Sequence, residues 1–338
     1  MFEGMNVRKP LTTNEAQVPD LYKIVLNLLN QIPSGQITTY KDIALALGDQ
    51  RASRAVGTIM ANNPRPDKFP CWRVVHSDGK VGKYSGPGGK EEKERKISRD
   101  GIEVIKGEIK QLDKARFDNF ELDPPLPKLR KIQREVERKV SLDSGQLTNI
   151  NTVGGVDVSY KEEPPTANYV EIHLEDKSKL IFSKQKRAEI KFPYIPSYLA
   201  FRELPLLENL LREIRHGRGL ADVILVDGNG LLHPRRAGLA SHLGVNLKHP
   251  TIGVAKTLLC GTVAEEDMEE GDRRKITDKE QILGYAVKTR SNANPIYISP
   301  GHRVESSQAA RLALKCSKYK LPEPIRQAHK MGPKKATD

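Results

Sequence analysis

Apolar residues in the first hundred positions recur at helical spacing. Leu21, Ile24, Val25, Leu28 and Leu29 make one stripe, which predicts a helix that Pro33-Ser34-Gly35 ends. Thr39 followed three residues later by Asp42 predicts a capping box opening a short helix, stopped by Gly48. A third helix is expected over Ser53 to Asn62. This order fits a small helical, winged-helix-like module, although many small helical domains share the pattern.

Near residue 120 the pattern changes. Asp123-Pro124-Pro125-Leu126-Pro127 cannot continue a helix, and a charged helix is expected from Leu129 to Val140. Beyond it, Val156-Asp157-Val158 reads as a strand. Val223-Ile224-Leu225-Val226 and Thr251-Ile252-Gly253-Val254-Ala255 are apolar runs that read as buried strands. Helical stretches such as Leu204 to Ile214 lie between, so the second part is expected to be an α/β layer fold. The expected layout is a first domain over 1–102, a charged, proline-rich linker over 103–127, a second domain over 128–330 and a basic tail over 331–338.

Composition adds a partner class. The 338 residues carry 56 Lys and Arg against 43 Asp and Glu, a net charge of +13. Residues 1–122 hold 20 basic and 16 acidic side chains, and 123–338 hold 36 and 27, so both parts are basic. That balance favours nucleic acid, though a merely basic protein has it too. Cys71, Cys260 and Cys316 show no metal-ligand spacing and no disulfide framework, which fits a reducing compartment. No apolar run approaches the ~18 residues of a membrane span, and Met1 to Pro10 has no apolar core of a signal peptide. The expectation is a cytoplasmic protein.

Two acids stand where ionisation is costly. Asp157 is flanked by apolar strand residues, and Asp227 ends a run of four aliphatics. A divalent cation would compensate them. Each acid alone reads equally well as a turn or strand cap. Glu203 opens a helical run, and His302 follows Ser299-Pro300-Gly301, read as a loop-to-helix junction.

Longer motifs carry a resemblance. Gly154-Gly155-Val156-Asp157-Val158-Ser159-Tyr160, the stretch from Pro193 to Glu203, Val226-Asp227-Gly228-Asn229-Gly230 with Leu232 to His242, Pro250 to Lys256, and Ser299-Pro300-Gly301-His302-Arg303-Val304 resemble, in order, the motifs of endonuclease V. The resemblance implies a ribonuclease-H-like fold and a nick at the second phosphodiester bond 3′ to deoxyinosine. It also implies Mg²⁺ or Mn²⁺ on Asp157 and Asp227, with Glu203 as a ligand directly or through water. His302 would orient water or a second metal, and Lys256 would neutralise the scissile phosphate. Tyr194, stiffened by Pro193 and Pro196, would wedge into the base stack. Gly228, Gly230 and Gly238 would close on an everted hypoxanthine, with His233 and Ser197 at the lesion. Ser197 stands where the family commonly has Gly. Some relatives prefer RNA, so inosine-containing RNA is an alternative substrate.

The first part resembles the C-terminal domain of O6-alkylguanine-DNA alkyltransferases over residues 18–102. The likeness rests on Ile32-Pro33-Ser34-Gly35, Thr39-Tyr40, Arg54-Ala55-Val56-Gly57, Asn63-Pro64, Pro70-Cys71-Trp72-Arg73-Val74-Val75 and Gly82-Lys83-Tyr84-Ser85-Gly86. By resemblance, Cys71 accepts the alkyl group, Arg54 fills the gap left by the flipped guanine and Tyr40 helps rotate the phosphate. Asn63, Tyr84 and Ser85 would line the guanine pocket. Trp72 departs from the family, which has a histidine there to relay the cysteine proton to a carboxylate. Asp100 stands at the carboxylate position. Trp cannot act as a base, so two readings stay open: alkyl acceptance on Cys71, or a lesion-sensing arm without transfer. Damaged DNA is the expected partner, with no membrane, no small-molecule cofactor and a monomeric state.

Overall fold

The computed structural model describes residues 18–143, 149–177 and 179–331, so residues 1–17 and all but the first residue of the expected basic tail lie outside it. The chain divides into two compact units, one of residues 18–131 and 191–202 and one built from 132–190 and 203 onward.

In the first unit, helix α1 (Leu21–Leu29) is capped by Asp20, whose carboxylate accepts from Lys23 N at 3.0 Å. It buries Leu21, Val25, Leu28 and Leu29 of the expected stripe, and leaves Ile24 half-buried. Strand β1 (Thr38–Thr39) leads into α2 (Tyr40–Ala46) through the expected capping box, with Thr39 Oγ1 accepting from Asp42 N and Asp42 Oδ2 accepting from Thr39 N, both at 3.1 Å. Helix α3 (Ser53–Ala61) follows. A single 3-10 turn holds Cys71 to Arg73 and runs into β2 (Val74–Val75), which pairs parallel with β1. Helix α4 (Gly89–Arg99) closes this part.

The stretch expected as a linker has structure of its own. A hairpin of β3 (Val104–Ile105) and β4 (Glu108–Ile109) and the short helix α5 (Leu112–Ala115) pack on this unit. Ile102 and Ile109 join Ile37, Val75, Val81 and Ile97 in one core. Ile37 N donates to Ala115 O at 2.8 Å, and Arg116 Nε donates to the buried Asp42 at 3.1 Å. A few apolar side chains inside a charged stretch therefore decide its fate. The prolines do not block the next helix either. Helix α6 runs Pro125–Lys139 and begins on a proline, whose missing N–H is no loss in a first turn.

The second unit is built on an eight-stranded sheet. Its strands are β5 (Thr152–Ser159), β6 (Thr166–His173), β7 (Leu180–Arg187), β8 (Val223–Asp227), β9 (Thr251–Ala255), β10 (Arg273–Asp278), β11 (Gln281–Val287) and β12 (Ile296–His302). The spatial order is β10-β11-β12-β9-β8-β5-β6-β7. β8 pairs parallel with both β5 and β9, and the remaining pairs are antiparallel. Helix α7 (Leu199–Gly217) extends beyond the expected Leu204 to Ile214, and α8 (Leu239–Leu247), α9 (Ser306–Lys315) and α10 (Glu323–Met331) complete the order. The aliphatic residues of the central strands β8 and β9 are buried, as such runs require.

Gly155 sets the approach of α10 to the sheet. A Cβ there would lie 2.4 Å from the Pro324 carbonyl carbon, a backbone atom. Gly155→Ala is therefore expected to push α10 away and destabilise this unit by about 1–3 kcal/mol, the usual cost of overpacking. Urea denaturation followed by circular dichroism checks it, and an unchanged midpoint would mean that α10 packs elsewhere.

Candidate active sites

Strand register brings two acids together. Val156 pairs with Val226 across the parallel β5–β8 ladder, so the next residues, Asp157 and Asp227, come side by side. Asp157 is 9% exposed, and burial, then the Asp227 charge, raise its carboxyl above the usual range. His329 and Lys256 oppose that rise. Lys256 Nζ donates to Asp227 Oδ2 at 3.0 Å. His329, delivered by α10, places Nδ1 3.2 Å from Asp157 Oδ2. One ligand atom from each of Asp157, Asp227 and His329 lies within 4.8 Å of the others. Two hard oxygens and an imidazole nitrogen at this spacing can hold a divalent cation, and the charge excess on the acids is what such an ion would offset.

The other expected members sit differently. Glu203 is buried on α7 and its Oε1 accepts from the Tyr160 hydroxyl at 3.0 Å, but it is outside the group of three. For His302 the expected surroundings are corrected. It ends strand β12 rather than standing at a loop-to-helix junction, and it is not in the group. Its Nδ1 accepts from Ser141 N at 3.2 Å, and burial, then Arg303, push it down to about 4. A neutral imidazole acting as an acceptor for backbone closes a strand end. The histidine that joins the acids is His329, which sequence reasoning missed. Its signal was the apolar pair Ile325 and Ala328, both buried, one helical turn apart and fixing which face of α10 packs inward.

The glycines of the third motif are tight. A Cβ on Gly230 would meet Pro300 O at 2.1 Å, and one on Gly238 would meet Asn229 O at 2.1 Å. Gly228 has φ +153°. His233 is buried in the same loop and accepts from Arg235 N at 3.1 Å. Residues 191–202 belong to the other unit. There Pro193 is buried and Tyr194 is 53% exposed. Ser197 has φ +64° and accepts from Arg51 Nη1 at 3.2 Å. That left-handed backbone explains why glycine suits the position. Tyr198 donates to Asp49 Oδ2 at 2.7 Å.

The first unit carries a cavity of about 770 Å³ lined by Cys71, Tyr40, Arg54, Tyr84 and Ser85. Cys71 is 4% exposed and lies 3.8 Å from Ser85 Oγ. Asn63, expected at this pocket, does not line it. Its side chain donates to Phe69 O at 3.0 Å and accepts from Arg65 N at 3.1 Å, fixing the loop that leads to Cys71.

Comparison with known proteins follows the same division. The family profile of Endonuclease V matches residues 134–330, and that of the 6-O-methylguanine DNA methyltransferase DNA-binding domain matches residues 20–102. A "Bifunctional methyltransferase/endonuclease" of Thermoplasma volcanium is 37% identical, with 92% of this chain and 89% of that one aligned. Its counterpart from Picrophilus torridus is 36% identical over 92% and 95%. The catalytic domain of human Endonuclease V superposes with a TM-score of 0.56 at 30% identity, covering 62% of this chain and 94% of that one. Endonuclease V of Ciona intestinalis, solved with a 23mer DNA containing an inosine followed by a ribo-adenosine, gives 0.55 at 31% identity, covering 62% and 96%. The second unit thus has the endonuclease V fold, as expected, and the reading of the first as an arm without transfer gives way to an enzyme of two activities. The chain belongs to the endonuclease V family and, over nearly its whole length, to the bifunctional methyltransferase/endonucleases of DNA repair.

Proposed function

We propose that the nuclease unit nicks DNA at the second phosphodiester bond 3′ to deoxyinosine, and that the other unit moves the alkyl group of O6-alkylguanine onto Cys71. The observation that carries the nuclease reading is the meeting of Asp157, Asp227 and His329. These side chains would hold Mg²⁺, with Mn²⁺ as substitute, because the donors are mostly hard oxygens. When bound, the cation supplies an activated water and a counter-charge for the developing oxyanion. Glu203, steadied by Tyr160, would complete the acid set, as a ligand directly or through water. Lys256 contributes positive charge beside the scissile phosphate. Tyr194, exposed between two prolines, acts as the wedge, and the close glycine turns around Gly228, Gly230 and Gly238 take the everted base. His302 is left with a structural role.

Nicking of an inosine duplex in a magnesium titration tests the site. Asp157→Asn and Asp227→Ala are expected to lose metal-dependent nicking. His329→Ala is expected to raise the magnesium needed for half-maximal rate about tenfold or more. His302→Ala is expected to leave that requirement unchanged. A shifted requirement in His302→Ala with none in His329→Ala would reverse the assignment.

In the other unit, Cys71, almost wholly buried, meets the cavity beside Ser85, while Tyr40, Arg54 and Tyr84 surround the space a flipped guanine would fill. Mass spectrometry after exposure to O6-methylguanine DNA is expected to find one methyl on Cys71 and none on the Cys71→Ser variant. A methyl found only on Cys260 or Cys316 would refute the acceptor assignment.

A second substrate class is favoured by one observation: the ribo-adenosine 3′ to inosine in the Ciona intestinalis complex. Matched inosine-containing RNA and DNA strands rank the two, and faster RNA cleavage would move the nuclease to RNA.

A further inference from the structure

Strand β6 changes character beside the acid pair. On the face it turns to α10, Ile172 and Val170 belong to one aliphatic core with Ile325 and Ala328. Two residues back, the same face carries Asn168, which is wholly buried. Asn168 stands directly opposite Asp157 in the antiparallel β5–β6 ladder and opposite Gln185 in the β6–β7 ladder. An acid and two amides therefore form one row across three strands. Gly155, two residues before Asp157 on the same face, is where the Pro324 backbone touches the sheet, so the row lies on the side where α10 packs.

The orientation of the Asn168 amide is fixed by its neighbours. Gln185 Nε2 donates to Met331 O, at the end of α10, at 2.7 Å, and to Asn168 Oδ1 at 2.8 Å. A nitrogen already donating to a backbone carbonyl must meet a second acceptor on its other side, so it is the Asn168 oxygen that faces β7. The Asn168 NH2 group is left on the branch away from Gln185, and no acceptor among the described residues reaches it. A buried donor without an acceptor is costly. A third aliphatic residue after Ile172 and Val170 would avoid that cost. The side chain opposite is Asp157, whose Oδ2 lies 3.2 Å from His329 Nδ1. Directly opposed residues have Cβ atoms roughly 4.5–5.5 Å apart, which brings the Asp157 carboxylate within range of the Asn168 amide.

We propose that Asn168 is a positioning residue of the cation site, its unused N–H kept for the Asp157 carboxylate, which it holds toward Asp227 and His329 when a divalent cation is bound. Gln185 serves the same end twice. It fixes the Asn168 amide, and it tethers the end of the helix that brings His329. An amide nitrogen that keeps its protons is no ligand, so Asn168 acts through Asp157. The proposal rests on the metal reading of Asp157, Asp227 and His329.

Mn²⁺ binding to the full-length protein, read by electron paramagnetic resonance, tests it without DNA. Asn168→Leu is expected to weaken Mn²⁺ about tenfold or more. Its unfolding midpoint in EDTA is expected to stay at or above that of wild type, because a costly unpaired donor is gone. In nicking of an inosine duplex, the magnesium needed for half-maximal rate should rise and the rate at saturating magnesium should not change. Gln185→Met is expected to weaken Mn²⁺ by a smaller factor. Thr166 is the control, since it is buried on the same face of β6 with an unpaired hydroxyl, and Thr166→Val should keep the wild-type affinity.

A folded Asn168→Leu with wild-type Mn²⁺ affinity overturns the proposal, and so does an equal loss in Thr166→Val. A lower rate at saturating magnesium with an unchanged requirement does the same. If Asn168→Leu does not fold, Gln185→Met with wild-type affinity overturns it. Wild-type protein that binds Mn²⁺ no better than Asp227→Ala would remove the metal reading and this proposal with it. Binding lost in Asp227→Ala but kept in Asn168→Leu would remove this proposal alone.

Discussion

Two carboxylates that the sheet forces together are the constraint on which the nuclease unit depends. The parallel register of β5 and β8 leaves Asp157 and Asp227 no freedom to separate. Burial makes their joint charge expensive, and the unit places Lys256 beside Asp227 and the His329 imidazole beside Asp157. Bringing the histidine so close needs a helix laid directly on the strand. That is why β5 has a glycine where the Pro324 backbone touches it. Gly155 of the first motif and His329 of α10 serve one purpose.

The alkyltransferase unit meets a similar problem with the opposite sign. The buried ammonium of Lys93 is held by two backbone carbonyls, and the cavity is lined by basic side chains and no acid. In both units the fold fixes a buried charge in place. Electrostatic preorganisation of this kind costs folding stability, which the aliphatic core of β8 and β9 and the Ile37–Ile109 cluster help to offset.

Some of this could be read from residue order and some could not. Asp157, Asp227 and Cys71 were legible because each sits in a short motif whose local structure is nearly self-determined. The capping box at Thr39 and Asp42 formed as its spacing requires. His329 was hidden because its partners lie across the fold, and only the packing phase of α10 brings it inward. His302 misled because Ser299-Pro300-Gly301 looks like a loop, whereas the strand carries the proline through a register irregularity. The linker misled because two isoleucines among charges were enough to dock a hairpin. Asn63 points at its own loop, a detail that no spacing rule contains.

The distance along the chain between Asp157 and His329 has a consequence for biosynthesis. They are 172 residues apart. At the usual ~5–20 residues per second of translation, roughly 10–30 s pass between their emergence. Through the later part of that interval, once Asp227 has emerged, the acid pair lacks the helix that balances it, while most residues of the alkyltransferase unit are already outside the ribosome. A nascent chain would therefore complete the cavity that holds Cys71 well before α10 could bring His329 to the two acids.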